Sequence, residues 1–291
     1  MHGIEIDEKV FYYSSHSPHS FHHHSGEPNL LIFGGIHGNE PCGIYAINRF
    51  MREIDAGMWS LKQGSITFAY GNLAAIKNNT RYVDYNMNRM FGLPQTAPQA
   101  IEYARVRLLE RLIPNKTAML DLHSALTPAP DFMLAESIAH PLAKALQPTY
   151  LVSGWESFAT VTGDTECYGL SLGVTAVTYE AGQHDDAKTL EHAYEMLLRF
   201  LNHYHVIDYA WTHTRSMQHL VLKQVIHKQS HQDQWLIPIH NFMSVHKGQE
   251  ILRLDGVTFH APFDAYLVFP VPVSDCQIDE ELTFLAFLHQ E

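Results

Sequence analysis

The sequence predicts an α/β protein, with a mixed, mostly parallel sheet carrying helices on both faces and a small β-rich domain at its C-terminal end. Three observations lead there. Short apolar runs alternate with stretches of helical periodicity from about residue 30 to residue 204, the pattern of strands wrapped by crossover helices. Several of those apolar runs stop at Gly or Asn, as buried strands do. Beyond about residue 208 the helical period fades, and short β-like runs separated by Asn, Gly and Pro replace it. At 291 residues the chain is long enough for a full core, and it divides into an expected catalytic domain, 1–208, and a β-rich domain, 209–291.

The elements follow in order. Residues up to about 29, including HSPHSFHHHSGEP at 16–28, read as irregular, because Ser, Pro and Gly punctuate them. Residues 30–33 (LLIF) are a strand ending in Gly34 and Gly35. Residues 41–58 are helical, with Ile44, Ile47, Met51 and Ile54 on one side. Residues 65–70 (SITFAY) form a strand stopped by Gly71 and Asn72. Residues 98–112 read as a helix with Pro98 at its start and Pro114 past its end. Strands are expected at 118–122, 131–135, 150–152 and 174–179. The helix at 187–204 carries Leu190, Ala193, Leu197, Phe200 and Leu201 along its apolar stripe. In the last segment strands are expected at 220–226, 235–239, 250–254 and 265–271.

Composition narrows the partners. Lys and Arg number 19 against 31 Asp and Glu, a net charge of −12. Such a chain lacks the basic footprint that nucleic acids or anionic lipid surfaces need. No run of about 18 apolar residues is present, so no membrane span is expected. The N-terminus has no basic or apolar signal region. The three cysteines, Cys42, Cys167 and Cys276, form no CxxC pair or disulfide framework. Together these point to the cytoplasm. The odd feature is 21 histidines, five of them (His16, His19, His22, His23 and His24) crowded into the N-terminal segment.

In an open α/β sheet, ligands bind beyond the carboxyl ends of the strands. GGIHGNEP at 34–41 places His37 and Glu40 on a tight turn there. Imidazole and carboxylate on one rigid turn suit a borderline cation such as Zn²⁺. The spacing also arises in ordinary surface turns. DLHS at 121–124 puts His123 after another strand, where it is either a satisfied sheet-edge histidine or a third ligand completing His₂Glu with an open position, the composition of a catalytic zinc site. TRYVDYNMNRMF at 80–91 gathers Arg81, Asn88 and Arg89. Arg and Asn together suit carboxylate recognition, although such a loop can equally be solvated. In TYEAGQ at 178–183, Glu180 follows a strand and is either an ordinary strand-end residue or a general base.

The order HxxE, R-x-x-D-x-x-x-N-R-x-F, DLH and E-A-G resembles the aspartoacylase/succinylglutamate desuccinylase family of the zinc-carboxypeptidase superfamily. The resemblance covers most of the chain. It implies a zinc-carboxypeptidase-like catalytic domain with the family's small C-terminal domain after it. It implies one Zn²⁺ per chain on His37, Glu40 and His123, with Glu180 as general acid/base. Arg81 would stabilise the oxyanion, and Asn88 and Arg89 would grip a substrate carboxylate. The activity implied is hydrolysis of the amide bond of a small N-acyl amino acid. Two departures stand out. The family's D-L-N-R is Asn86-Met87-Asn88-Arg89 here, which implies altered support of the site. The additional substrate-binding Arg that aspartoacylases carry before the strand of the catalytic Glu is missing from the matching stretch, residues 166–170, which weakens the case for a dicarboxylate substrate. A zinc carboxypeptidase acting on a short peptide or peptidoglycan fragment is the alternative. A non-enzymatic His-rich metal-binding protein is a third reading.

Overall fold

The structure, a computed structural model, describes residues 3–16, 26–158, 162–212 and 216–289. The N-terminal residues depart from the expectation of an irregular segment. β1 (Ile4–Asp7) and β2 (Val10–Ser14) form a hairpin with Lys9 in the left-handed region, φ 53°. Val10, Tyr12 and Tyr13 are buried, so this segment adds to the core. His19, His22, His23 and His24 lie outside the described residues.

Strands β3 (Asn29–Gly34), β4 (Ser65–Tyr70), β5 (Ala118–Ala125) and β8 (Thr175–Gln183) make the parallel centre of the sheet. β6 (Phe132–Leu134) joins β8 antiparallel, and β7 (Tyr150–Ser153) runs parallel to β6. Alternating residues of the same strand feed two cores, the consequence of a period of two. Leu30 and Ile32 face α1 (Cys42–Asp55), α4 (His140–Leu146) and α6 (Ala187–His203). Leu31 and Phe33 face the other way, toward α3 (Tyr103–Glu110) and α5 (Thr165–Ser171). Helices therefore cover both faces, as the apolar runs require.

The C-terminal segment enters the same sheet. β9 (Gln218–His227) pairs parallel with β7, and β15 (Glu281–Leu288), β14 (Ala265–Val268) and β11 (Ser244–Val245) follow. The result is a twelve-stranded sheet in the order β1-β2-β4-β3-β5-β8-β6-β7-β9-β15-β14-β11. A second sheet holds β10 (Gln234–Trp235), β12 (Glu250–Leu254) and β13 (Val257–His260). The expected strand at 235–239 shrinks to two residues, and Pro238 has no N–H to continue a ladder. β14 stops at Val268, because Phe269 takes φ 50° and Pro270 follows.

Two boundary shifts matter for the site. α3 begins at Tyr103 and not at residue 98, since Ala97 takes φ 42° and residues 94–102 form turns. β5 and β8 run past their expected ends, so His123 and Glu180 lie inside strands and are direct neighbours across the ladder.

The helix after β3 comes unusually close to the sheet. A Cβ built on Gly43 of α1 would lie 2.7 Å from Gly34 Cα and 2.9 Å from Leu122 O. Only glycine allows that approach, which sets where α1 starts relative to β3 and β5. Gly43→Ala is expected to destabilise the protein by about 1–3 kcal/mol through overpacking. Urea unfolding would measure it, and an unchanged midpoint would contradict the claim that this contact fixes the helix.

Candidate active site

The turn between β3 and α1 is held by its surroundings. Gly38 N donates to Arg81 O at 3.2 Å, and a Cβ there would lie 2.1 Å from the Ala75 carbonyl carbon in α2 (Leu73–Asn78). Gly38 is thus needed for close approach, not for a positive φ. This packing drives His37 and Glu40 inward, to 4% and 2% exposure, beside His123 at 2%.

The three side chains converge. His37 Nδ1 is 2.8 Å from Glu40 Oε1, and His123 Nδ1 is 2.9 Å from Glu40 Oε2. The candidate ligand atoms of the three residues all lie within 4.8 Å of one another. It is the one such group of His, Cys, Asp or Glu among the described residues. The outer face of each imidazole has its own acceptor. His37 Nε2 is 3.2 Å from Asn86 Oδ1, and His123 Nε2 is 3.0 Å from Asp121 Oδ2. Asn86 Oδ1 also accepts the Asn88 N–H at 3.0 Å, which fixes the orientation of its amide. An oxygen there accepts only, so with a cation on Nδ1 the proton of His37 would sit on Nε2. Asp121 is itself held by the Thr165 hydroxyl at 2.5 Å. Two imidazoles and a carboxylate converging in this way fit a zinc ion, which would displace the proton that Glu40 and Asp121 favour on His123.

Electrostatics follow from burial. Desolvation and the charge of Arg81 push His37 down to about 4, keeping it neutral. Burial alone would raise Glu40, but the adjoining imidazoles hold it well below the usual carboxylate range. Burial alone would lower His123, yet Asp121 and Glu40 raise it. Among the protein groups alone, burial and the nearby Glu40 push Glu180 up to about 8. Its Oε2 has no hydrogen-bond partner, and its side chain lines the same cavity. A carboxyl so placed has a pKa suited to exchanging protons near neutrality.

The other sequence-predicted residues share that cavity of about 350 Å³. Arg81 reaches Glu40 Oε1 with Nη1 at 3.2 Å while 46% of its side chain stays exposed. Asn88 and Arg89 sit on a 3₁₀ turn, Met87–Arg89, that Asn86 caps. Asn88 Oδ1 accepts the Thr165 N–H at 3.1 Å, and Arg89 lies 3.6 Å from Glu281. Seven of seven expected side chains therefore line one cavity. Residues from the C-terminal segment form its opposite wall, among them Asn241, Phe269 and Val271.

Sequence reasoning missed the supports. Asp121 carried a usable signal, since residues two apart on a strand share a face and D-x-H puts carboxylate beside imidazole. Glu102, 1% exposed, accepts the N–H groups of Val83 and Asp84 at 2.7 and 3.2 Å on Oε1 and that of Tyr85 at 3.3 Å on Oε2, bracing the loop from Arg81 to Arg89. No local pattern marks it. Asn86 is singled out in the sequence only as a departure; in space it does what an aspartate would do, accepting from His37.

Replacement of the Asn86 acceptor is expected to weaken zinc binding about 10–100-fold. Asn86→Ala should show it in competition with a chelator, and Asn86→Asp should restore the affinity. Equal affinity in all three proteins would remove Asn86 from this role.

Comparison with known proteins agrees with this geometry. Residues 26–204 match the succinylglutamate desuccinylase/aspartoacylase catalytic domain. A succinylglutamate desuccinylase of Pseudomonas aeruginosa (strain LESB58) is 37% identical over 99 residues, 33% of this chain and 29% of that protein. The matched stretch thus spans less than a third of that relative's length. Among solved structures, a succinylglutamate desuccinylase from Vibrio parahaemolyticus is similar at TM-score 0.77 and 16% identity, covering 97% of this chain and 86% of that one. A product-bound ectoine utilization protein from Ruegeria pomeroyi is similar at TM-score 0.71 and 18% identity, covering 89% and 85%. At these identities the likeness is one of fold.

Proposed function

The chain belongs to the succinylglutamate desuccinylase/aspartoacylase family, and from that premise we propose that it is a zinc-dependent hydrolase of the amide bond of an N-acyl amino acid. The observation that carries the reading is the buried convergence of His37, Glu40 and His123 within reach of an unpartnered Glu180. His37 Nδ1, the Glu40 carboxylate and His123 Nδ1 would hold one zinc per chain, which when bound supplies a Lewis acid and lowers the pKa of water toward about 7.

The protein groups divide the remaining work. Glu180 takes a proton from the attacking water and delivers it to the leaving amine, a transfer its raised pKa supports. Arg81, with half its side chain open to the cavity, donates to the oxygen of the scissile carbonyl as charge develops. A fixed donor of that kind is worth about 3–4 kcal/mol. Asn88 and Arg89 hold the α-carboxylate and align the substrate; Thr165 N–H anchors Asn88 while its amide N–H groups stay available. Phe269 and Val271 close the far side and limit water.

The same cavity favours a small substrate over a peptide. A volume of about 350 Å³ suits a small molecule, and residues of the segment 209–291 line part of it. We assign catalysis to residues 1–208 and cover to residues 209–291. No helix among the described residues is long and apolar enough to cross a membrane. The three cysteines are free, which supports a reducing, cytoplasmic setting.

Glu180→Gln is expected to lower kcat about 10²–10⁴-fold on an N-acyl amino acid while zinc content stays at one equivalent. Turnover unchanged in that variant would sink the mechanism. Removal of zinc by a chelator should abolish turnover and lower Tm, because a ligand that binds only the folded state stabilises it. Re-addition of zinc should restore both, and full activity in the chelated protein would exclude the assignment.

A further inference from the structure

The charges in the cavity are unevenly divided. At the inner end, Arg81 and the ligand set around His37 and His123 provide for a developing oxyanion. Elsewhere the lining carries Arg89 beside four carboxyl groups, those of Asp164, Asp275, Glu280 and Glu281. Arg89 is already engaged, with Nη2 lying 3.6 Å from Glu281 and Nη1 donating to Asn88 O at 2.8 Å. Asp164 is held from behind, accepting from Trp155 Nε1 at 2.7 Å and the Cys167 N–H at 2.6 Å. Glu280 is fixed by the Gln277 N–H at 2.8 Å and hydrogen-bonds the Tyr82 hydroxyl. Glu280 and Glu281 are half-buried, so solvent screens them incompletely.

Glu280 and Glu281, both half-buried, line the same cavity into which Glu180 presents an unpartnered oxygen at 6% exposure. A dicarboxylate amino acid would bring its second negative charge there with Arg89 as the nearest lining cation, and Arg89 must also hold the α-carboxylate. Like charges repel, and the neighbouring Lys228 ammonium is already taken up by the Val273 and Cys276 carbonyls at 2.8 and 2.7 Å. A cation would meet the opposite field.

We propose that the amino acid released by this enzyme carries a side-chain ammonium group, recognised by Glu280 and Glu281 while its α-carboxylate is held by Arg89 and Asn88. The proposal rests on the deacylase reading above and specifies its substrate class. The acyl group lies on the other side of the scissile bond. The ammonium docks between the two glutamates, and Arg89 turns from Glu281 to the α-carboxylate, so the ion pair present in the free chain is exchanged for two pairs with substrate.

The test compares Nα-acetyl-L-lysine with Nα-acetyl-L-norleucine, which has the same carbon chain without the ammonium, and with N-acetyl-L-glutamate and N-succinyl-L-glutamate, using the zinc-supplemented protein. The lysine derivative is expected to exceed the norleucine derivative at least tenfold in kcat/KM. In Glu280→Gln that ratio should fall toward one. In Glu281→Gln the ratio should also fall, and turnover of N-acetyl-L-glutamate should rise as Arg89 is released. A glutamate derivative preferred over norleucine in the unaltered protein, or a lysine-to-norleucine ratio near one, would overturn the proposal while leaving the deacylase reading intact. Hydrolysis of none of the four would overturn the deacylase reading instead. Thermal shift with free L-lysine, L-norleucine and L-glutamate then decides the charge preference by binding alone. A larger rise in Tm with lysine supports it, and an equal or larger rise with glutamate overturns it.

Discussion

One buried carboxylate holds the centre together. Glu40 meets His37 and Arg81 on Oε1 and His123 and the Ser124 N–H on Oε2, the last at 3.1 Å, and is itself 2% exposed. A lone carboxylate at that depth would cost several kcal/mol. It persists because four nitrogens from three separate segments surround it, and in doing so it ties the β3–α1 turn to β5 and to the loop carrying Arg81. Breaking such a pair leaves an uncompensated charge, typically about 3–5 kcal/mol. The same arrangement that satisfies Glu40 brings two imidazole Nδ1 atoms to a common point, so stability of the centre and competence to hold a cation have one cause.

The sheet supplies the precision that this requires. β3, β5 and β8 are parallel neighbours, which brings the His37 turn, His123 and Glu180 to the same end of the sheet. Side chains on strands vary little in direction, and the glycine contacts of Gly34, Gly38 and Gly43 leave the turn little room to move. The recognition loop is less regular and is held instead by polar bonds, from Glu102 on one side and from Thr165 on the other. The C-terminal strands extend the same sheet, and Glu280 and Glu281 reach the cavity from about 100 residues beyond Glu180.

The side chains that converge on the cavity were legible in the sequence because each sits in a short motif next to a strand end: His37 and Glu40 in GGIHGNE, His123 in DLH, Glu180 in YEAG. Parallel strands were legible from their unbroken apolar runs, such as LLIF. The β1–β2 hairpin was not, since its alternation spans few residues beside a His- and Ser-rich stretch. Nor was β15, the C-terminal strand that joins β9 to β14. Its run ELTFLAFL closes the chain without the Gly or Pro punctuation that marks other strands. Glu102 and Thr165 carry no motif because their partners lie 17–19 and 77 residues away in the chain.

By itself, then, the sequence determined the strand–helix alternation, the family and the residues that converge on the cavity, because these depend on local period and on residue chemistry. Which acceptor faces each imidazole, how Glu40 is satisfied, and that Arg89 is opposed by Glu281 and Asp164 were decided by the tertiary structure alone. Charge balance and hydrogen-bond partnership depend on distances between side chains, and only the packed sheet with its C-terminal cover sets those distances.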